Sequence, residues 1–162
     1  VNEDLDYVVV RQGEERLVLA SARLAVLEGE YTVLETCKGR DLVGRRYTPL
    51  FKVAGFDYPA DTWRIASAAY VTVEDGTGLV HTAPAFGAED YEVGRREGLP
   101  LVNPVAPDGR FTDAAPLVAG LWFKDADKPI MRELKSRGLL YKRVDYVHNY
   151  PHDWRKGTPL MS

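Results

Sequence analysis

Apolar and polar positions alternate in short stretches along this chain, and the alternation predicts strands more often than helices. Residues 7–10 and 16–20 are β-rich runs on either side of the polar turn Gln12-Gly13-Glu14-Glu15, which predicts a hairpin. Ser21 offers an N-cap for a short helix through Leu27, and Gly29 is placed to end it. Residues 31–37 alternate well enough for a further strand, and Gly39 and Gly44 then punctuate a loop leading to the segment 47–51. Residues 64–74 form the longest strand candidate, carrying Ile65, Tyr70, Val71 and Val73. Asp75-Gly76 is a strong turn dipeptide, with residues 79–81 as the expected returning partner.

Downstream, residues 88–97 suit a short helix broken by Gly98 and Pro100. Residues 101–105 and 110–112 flank the turn Pro107-Asp108-Gly109. Ala126, Ile130 and Leu134 recur at helical spacing, with Asp125 as cap and Gly138 as stop. A last strand is expected over 139–147, before an aromatic and proline-rich close at 148–159. No internal repeat, low-complexity tract or linker interrupts the pattern. The expected fold is α+β, mainly β: a β-barrel-like core with short peripheral helices, in one domain over residues 1–162.

Composition narrows the class of protein. The 162 residues suffice for one core without covalent staples, and 45% hydrophobic with 28% charged residues is ordinary for a globular protein. A formal charge of -3 excludes a uniformly basic nucleic-acid clamp but not a local basic face. Cys37, alone, can form no internal disulfide, which fits a reducing cytoplasm. No apolar run approaches the roughly 20 residues needed to cross a bilayer, and no signal-peptide pattern is present. The chain opens at Val1 and closes at Met161-Ser162 without a helix stop or polar tail, so it is expected to be a piece of something longer.

The segment GTGLVHTAPAFGAEDYEVG, residues 76–94, concentrates the candidate chemistry. Gly76 and Gly78 permit backbone angles and close approaches that a side chain would block, and Pro84 and Gly87 shape the following loop. Asp90 falls near a predicted helix start, where backbone N–H groups favour an ionised carboxylate. Such a carboxylate can receive an ammonium ion through charge-assisted hydrogen bonds. On the residues alone a plainer alternative stands beside this one: Asp90 caps a helix and His81 is a partly buried strand residue.

The run GTG-x-V-H-x-A-P-A-F-G-x-E-D resembles the editing domain of isoleucyl-tRNA synthetases, with valyl and leucyl relatives differing at the position of His81. The resemblance covers essentially the whole chain. Gly39, Leu42, Gly44, Tyr47, Pro49, Leu50 and Phe51 fit that family's G-x-x-L-x-G-x-x-Y-x-P-L-F pattern. Gly120-Leu121, the helix around Ile130 and Leu134, and Gly138-Leu139-Leu140 also fit. The run from His148 to Arg155, HNYPHDWR, is similar to the family's exit from the editing insertion.

The resemblance implies hydrolysis of valyl-tRNA(Ile), and of valyl-adenylate, by water attack on the aminoacyl linkage. One methylene in an apolar pocket is worth only about 1–3 kcal/mol, isoleucyl-tRNA synthetases being the standard worked example of that limit, so a second pocket must remove the error. By resemblance Asp90 holds the substrate α-amino group and is the catalytic-site acid, orienting substrate rather than acting as general base. His81 is the pocket-lining size gate, and Gly76, Thr77 and Gly78 belong to the substrate-binding set. The implied partners are a tRNA acceptor end carrying valine and the remainder of the synthetase chain, in a cytoplasmic monomer. The aminoacylation signatures HIGH and KMSKS do not occur in the sequence. ATP and Mg are therefore implied for the parent enzyme, and no cofactor or metal for this fragment.

Two rivals and one departure accompany this assignment. The first rival is a tRNA-end or aminoacyl-adenosine binding module without turnover; the second is a metallohydrolase using His81, His148 and His152. The departure is that the family's threonine-rich segment, ending Pro-Trp-Thr-Leu-Pro, has no counterpart here, Thr62-Trp63 being only a superficial match. That segment is expected to precede Val1 in the parent, which would leave the pocket incomplete. His148 and His152 lack the paired cysteines of a zinc site. Arg45-Arg46, Arg95-Arg96, Lys142-Arg143 and Arg155-Lys156 are candidate phosphate contacts or simply solvated surface. Trp63, Trp122 and Trp154 are candidates for base stacking or ordinary packing, and Cys37 reads as a buried inert thiol.

Overall fold

A computed structural model describes residues 1–144 and, beyond them, the backbone of the short strands at 152–153 and 158–159. The chain divides into two compact units, one comprising Val1–Thr48 and Pro59–Pro100, the other Pro49–Tyr58 and Leu101–Ser162.

The first unit is organised around the expected hairpin. Strand β1 (Asp6–Gln12) pairs antiparallel with β2 (Glu15–Ala20) and, on its other edge, with β3 (Thr32–Lys38), giving the order β2-β1-β3. A register irregularity between Val9 and Val10 bends the β1–β3 pair. The central strand is buried on both faces because its residues 7–10 are all apolar or aromatic. Val8 and Val10 join Leu19 and are covered by Leu24, Val26 and Leu27 of a 3-10 helix, Ser21–Val26, and its exit. Tyr7, with Val1, Ala20 and Leu42, packs on the opposite face against Ile65, Val73 and Leu79. Each fully buried side chain of this kind contributes about 1.5–3 kcal/mol.

Several expectations are corrected. The sheet is open, not a closed or barrel-like one, although the mainly-β character with few short helices holds among the described residues. Residues 64–74 and 79–81 form no ladder; Ala68 and Val71 are buried, Ile65, Tyr70, Val73 and Leu79 partly so, and Val80 is exposed. Their backbone is satisfied piecemeal: Gly44 N–H donates to Ile65 O at 2.8 Å, Ile65 N–H to Arg45 O at 2.8 Å, and Arg46 and Arg64 form an isolated bridge. The β-like composition there reports burial, which is what strand propensity largely measures. Ser21 does not cap; Ala20 holds the N-cap position and makes no side-chain capping bond. The expected loop at Lys38-Gly39 contains a one-turn helix, α1 (Gly39–Leu42), with Asp41 accepting from the Lys38 N–H at 3.0 Å.

Helix α2 (Ala88–Glu97) forms where the sequence placed it and ends at Gly98 in the left-handed region. It buries Val93 against Ala68, Val71 and the partly buried Tyr70. In the second unit, residues around the turn at 107–109 make the isolated bridges Val105↔Phe111 and Arg110↔Trp122. Helix α3 (Asp127–Ser136) also forms as expected, but Ala126 rather than Asp125 occupies its N-cap. The 3-10 turn Phe123–Asp125 before it supplies the local bonds instead. Arg137, just past α3, stacks over the Phe51 ring at 4.7 Å and donates to Leu50 O at 2.6 Å. Residues 139–144 are not strand, and residues 145–147 of that expectation lie outside the described residues. Strands β4 (His152–Asp153) and β5 (Thr158–Pro159) form a separate two-stranded pair.

Candidate functional site

The candidate site residues Gly76, Thr77, Gly78, His81 and Asp90 all lie in the first unit, and the hairpin positions the first group of them. The turn Gly76-Thr77-Gly78 is clamped to the end of β2 through its carbonyls. The Arg23 Nε donates to Gly76 O at 2.8 Å, the Ala20 N–H to Thr77 O at 2.7 Å, and the Tyr7 hydroxyl to Gly78 O at 2.6 Å. Gly78 is buried with φ +81, and a Cβ there would lie 2.5 Å from the Ala20 Cβ. Glycine is required at that point for both reasons, conformation and space. The three carbonyls of the turn are therefore engaged by the scaffold.

Asp90 is positioned from the other side. Gly87 is the N-cap of α2 and has no side chain to cap with, so Asp90 falls in the first turn, beside the N-terminal N–H groups. Its carboxylate does not close back on the cap. Oδ1 accepts from the Tyr70 hydroxyl at 2.6 Å, and Oδ2 accepts from the Ala83 N–H at 3.1 Å. The Tyr70 phenol is held above its ordinary value of 10.0, first by burial and then by its bond to Asp90, with Thr82 acting in the opposite direction. A carboxylate has about four lone-pair sites, so two directions on Asp90 stay available to a cation.

The loop between these groups is fixed by close packing. Pro84 sits against α2 at Gly94, where a Cβ would lie 2.8 Å from both the Cβ and the Cγ of Pro84. Ala83 is thus tied directly to Asp90. His81, two residues back, is exposed and makes no hydrogen bond or ion pair among the described residues. The structure brings Asp90 and the His81 loop together through Ala83. It holds Gly76, Thr77 and Gly78 against Tyr7, Ala20 and Arg23.

Sequence reasoning missed Tyr70 as a partner of Asp90, and Tyr7 and Arg23 as partners of the turn. Tyr70 was counted as an apolar position in a strand-like run, which hid its hydroxyl. Nothing in residue spacing joins Tyr70 to a carboxylate in a later helix.

The remaining candidates are placed as follows. Arg95 pairs with Glu92 at 3.2 Å, and Lys142 and Arg143 are exposed. Arg45 and Arg46 are exposed, and Arg96 donates to Ser67 O. Trp63 packs edge-on to Tyr47 at 6.5 Å, and Trp122 edge-on to Phe123 at 5.4 Å. Cys37 is partly buried; burial pushes its thiol up, helped by the charges of Asp41 and Glu35 and opposed by Arg45. His148, Trp154 and Arg155-Lys156 lie outside the described residues, as does the side chain of His152. Among the described residues no group of three or more His, Cys, Asp or Glu could hold a metal ion. Two shallow open depressions of about 500 and 550 Å³ are lined by Arg11, Glu30 and Tyr31 and by Asp6, Cys37 and Asp41 respectively; neither includes a residue of 76–94.

No family model matches the chain. Among curated proteins it is 47% identical over 163 residues to the isoleucine–tRNA ligase of Thermobifida fusca, covering 99% of this chain and 15% of that enzyme. It is 46% identical over 160 residues to the isoleucine–tRNA ligase of Streptomyces coelicolor, covering 98% of this chain and 15% of that enzyme. The corresponding enzyme of Clostridium acetobutylicum is 44% identical over 161 residues, with 99% and 15% covered. The chain thus spans about 15% of the length of the curated relatives it matches. Among solved structures it is similar to GlLeuRS-CP1, with TM-score 0.61 and 14% identity over 90% of this chain and 77% of that one. At that identity the likeness is one of fold.

Proposed function

Because the chain belongs to the isoleucyl-tRNA synthetase family and shares the fold of a synthetase CP1 domain, we propose that it is the editing domain of such an enzyme. The proposed reaction is hydrolysis of valyl-tRNA(Ile), and of valyl-adenylate, by water attack on the aminoacyl ester. The observation that carries this reading is the Asp90 carboxylate. Tyr70 at 2.6 Å and Ala83 at 3.1 Å fix it at the start of α2, with acceptor capacity to spare.

In this reading Asp90 receives the substrate α-ammonium and fixes the ester relative to the attacking water. The ester is already activated, so positioning of substrate and water supplies most of the rate. The exposed His81 is the side-chain size gate on the loop tied to Asp90. Gly76, Thr77 and Gly78 are the substrate-binding turn of this reading, held in place by their clamped carbonyls. The step as proposed uses no cofactor; ATP and Mg belong to aminoacylation by the parent enzyme. Its partners are the tRNA acceptor end and the rest of the synthetase chain. A cytoplasmic setting fits, and among the described residues no helix is long and apolar enough to cross a membrane.

The test is deacylation of valyl-tRNA(Ile) by a synthetase carrying this segment, compared with its Asp90→Ala variant. Loss of about 100-fold or more in rate is expected for removal of the group that positions the substrate. Undiminished hydrolysis in the variant rejects the assignment. Tight binding of an aminoacyl-adenosine analogue without hydrolysis in the unaltered enzyme would instead establish a binding module.

A further inference from the structure

Among the described residues Tyr70 is the side chain that hydrogen-bonds the carboxylate of Asp90, the group that also holds the loop after His81. Its hydroxyl donates to Asp90 Oδ1 at 2.6 Å. The remaining link is the Ala83 N–H to Oδ2 at 3.1 Å. Removing the Tyr70 hydroxyl would leave the carboxylate with one protein partner and free to rotate about its side-chain bonds. Its position at the helix start restrains the Cα but not that rotation.

Building on the assignment of Asp90 as amine anchor, we propose that Tyr70 is a positioning residue for editing. Its hydroxyl fixes the rotamer of Asp90, so that a defined pair of carboxylate lone pairs meets the substrate ammonium. The same carboxylate accepts from the Ala83 N–H, two residues after His81, which keys the His81 loop to it. Amine recognition and side-chain gating are thereby set in one geometry. Tyr70 touches neither the ester nor the water; it acts through Asp90. A hydrogen bond to an ionised group is stronger than one between neutral groups, and at 2.6 Å this one has the length of that class. Phenylalanine would keep the ring packed with Ala68, Val71 and Val93, so the substitution Tyr70→Phe removes the bond and little else.

The test compares two substrates in a full-length synthetase carrying this segment. One is valyl-tRNA(Ile); the other is the same tRNA esterified with 2-hydroxyisovalerate, which has a hydroxyl in place of the α-ammonium. For the valyl ester, Tyr70→Phe is expected to raise KM about tenfold with kcat changed by less than about twofold, the pattern of lost binding common to ground and transition states. For the hydroxy ester the two enzymes should be indistinguishable. A merely structural role would lower activity on both esters alike, and that result overturns the proposal. If Asp90→Ala abolishes the preference for the amino ester while Tyr70→Phe leaves it intact, the proposal fails and the assignment of Asp90 stands. If Asp90→Ala also leaves the preference intact, both fall together.

Discussion

The Tyr7 hydroxyl donates a 2.6 Å hydrogen bond to the carbonyl oxygen of Gly78, 71 residues further along the chain, inside the core of the first unit. The Tyr7 hydroxyl oxygen in turn accepts from the Asn2 N–H at 3.1 Å. One buried phenol therefore ties the central strand to the glycine turn that leads into the candidate site. Truncating it leaves a buried carbonyl without that donor, at a cost of about 1–3 kcal/mol. Tyr7→Phe should lower the urea midpoint accordingly at pH 7 while leaving the slope of the transition unchanged.

The same contact makes a prediction for alkaline pH. Burial raises the Tyr7 phenol above its ordinary value of 10.0, with the Asn2 N–H acting in the opposite sense. A phenol raised in the folded state binds its proton more tightly there than in the unfolded chain, so its contribution to stability is complete below pH 10.0. It is lost progressively as pH rises through the folded value, where the donor to Gly78 disappears. Melting temperatures measured between pH 8 and roughly 11 should fall more steeply for the unaltered protein than for Tyr7→Phe. Parallel curves would mean that Tyr7 does not sense alkaline pH in the fold.

Gly78 and Gly76 separate two reasons for needing glycine. Both have positive φ, +81 and +63, but only Gly78 has a neighbour in the way, the Ala20 Cβ at 2.5 Å. The left-handed conformation costs an alanine about 1–2 kcal/mol, and overpacking adds about 1–3 kcal/mol. Gly76→Ala should therefore destabilise by the first amount alone and Gly78→Ala by the sum of both. Equal effects in chemical denaturation would show that the turn yields easily at Ala20.

How far the sequence could anticipate these contacts depended on how local they were. Helix α2 was readable because Gly98 and Pro100 mark its end, and α3 because Ala126, Ile130 and Leu134 recur at helical spacing. The hairpin was readable for a similar reason, its turn lying between two β-rich runs. The openness of the sheet was not, because residues 64–74 carry the composition of a strand yet satisfy their backbone through scattered bonds to Arg45, Gly44 and Val1. Asp90 was identified as a candidate by its motif, but its partners were hidden. Tyr70 lies 20 residues upstream, and no periodicity points from a tyrosine in an extended run to a helix N-terminus.

His81 carries the selectivity of the proposed reaction. It is exposed and held only by its loop, so replacing it should leave the fold intact. His81→Ala is expected to admit the extra methylene and raise hydrolysis of isoleucyl-tRNA(Ile) by about tenfold or more, within the 10–200-fold that one methylene is worth. Hydrolysis of valyl-tRNA(Ile) should change little. Unaltered discrimination between the two esters would remove His81 from the gate.

Gly94 tests whether the loop must be seated on α2 for the site to work. In a solvent-exposed helix interior, replacing glycine by alanine stabilises by about 1 kcal/mol. Here a Cβ would lie 2.8 Å from two atoms of the Pro84 ring, which cannot swing aside as a flexible side chain would. Overpacking of about 1–3 kcal/mol then outweighs the propensity gain. Because Pro84 follows Ala83, pushing the ring outward strains the Ala83 N–H bond to Asp90 as well. Gly94→Ala should therefore lower both the urea midpoint and the valyl-tRNA deacylation rate. Glu92→Gln, which breaks only an exposed pair with Arg95 on the same helix, should change stability by less than about 1 kcal/mol. A Gly94→Ala protein that is more stable and fully active would show that the loop is free to shift away from α2 without disturbing Asp90.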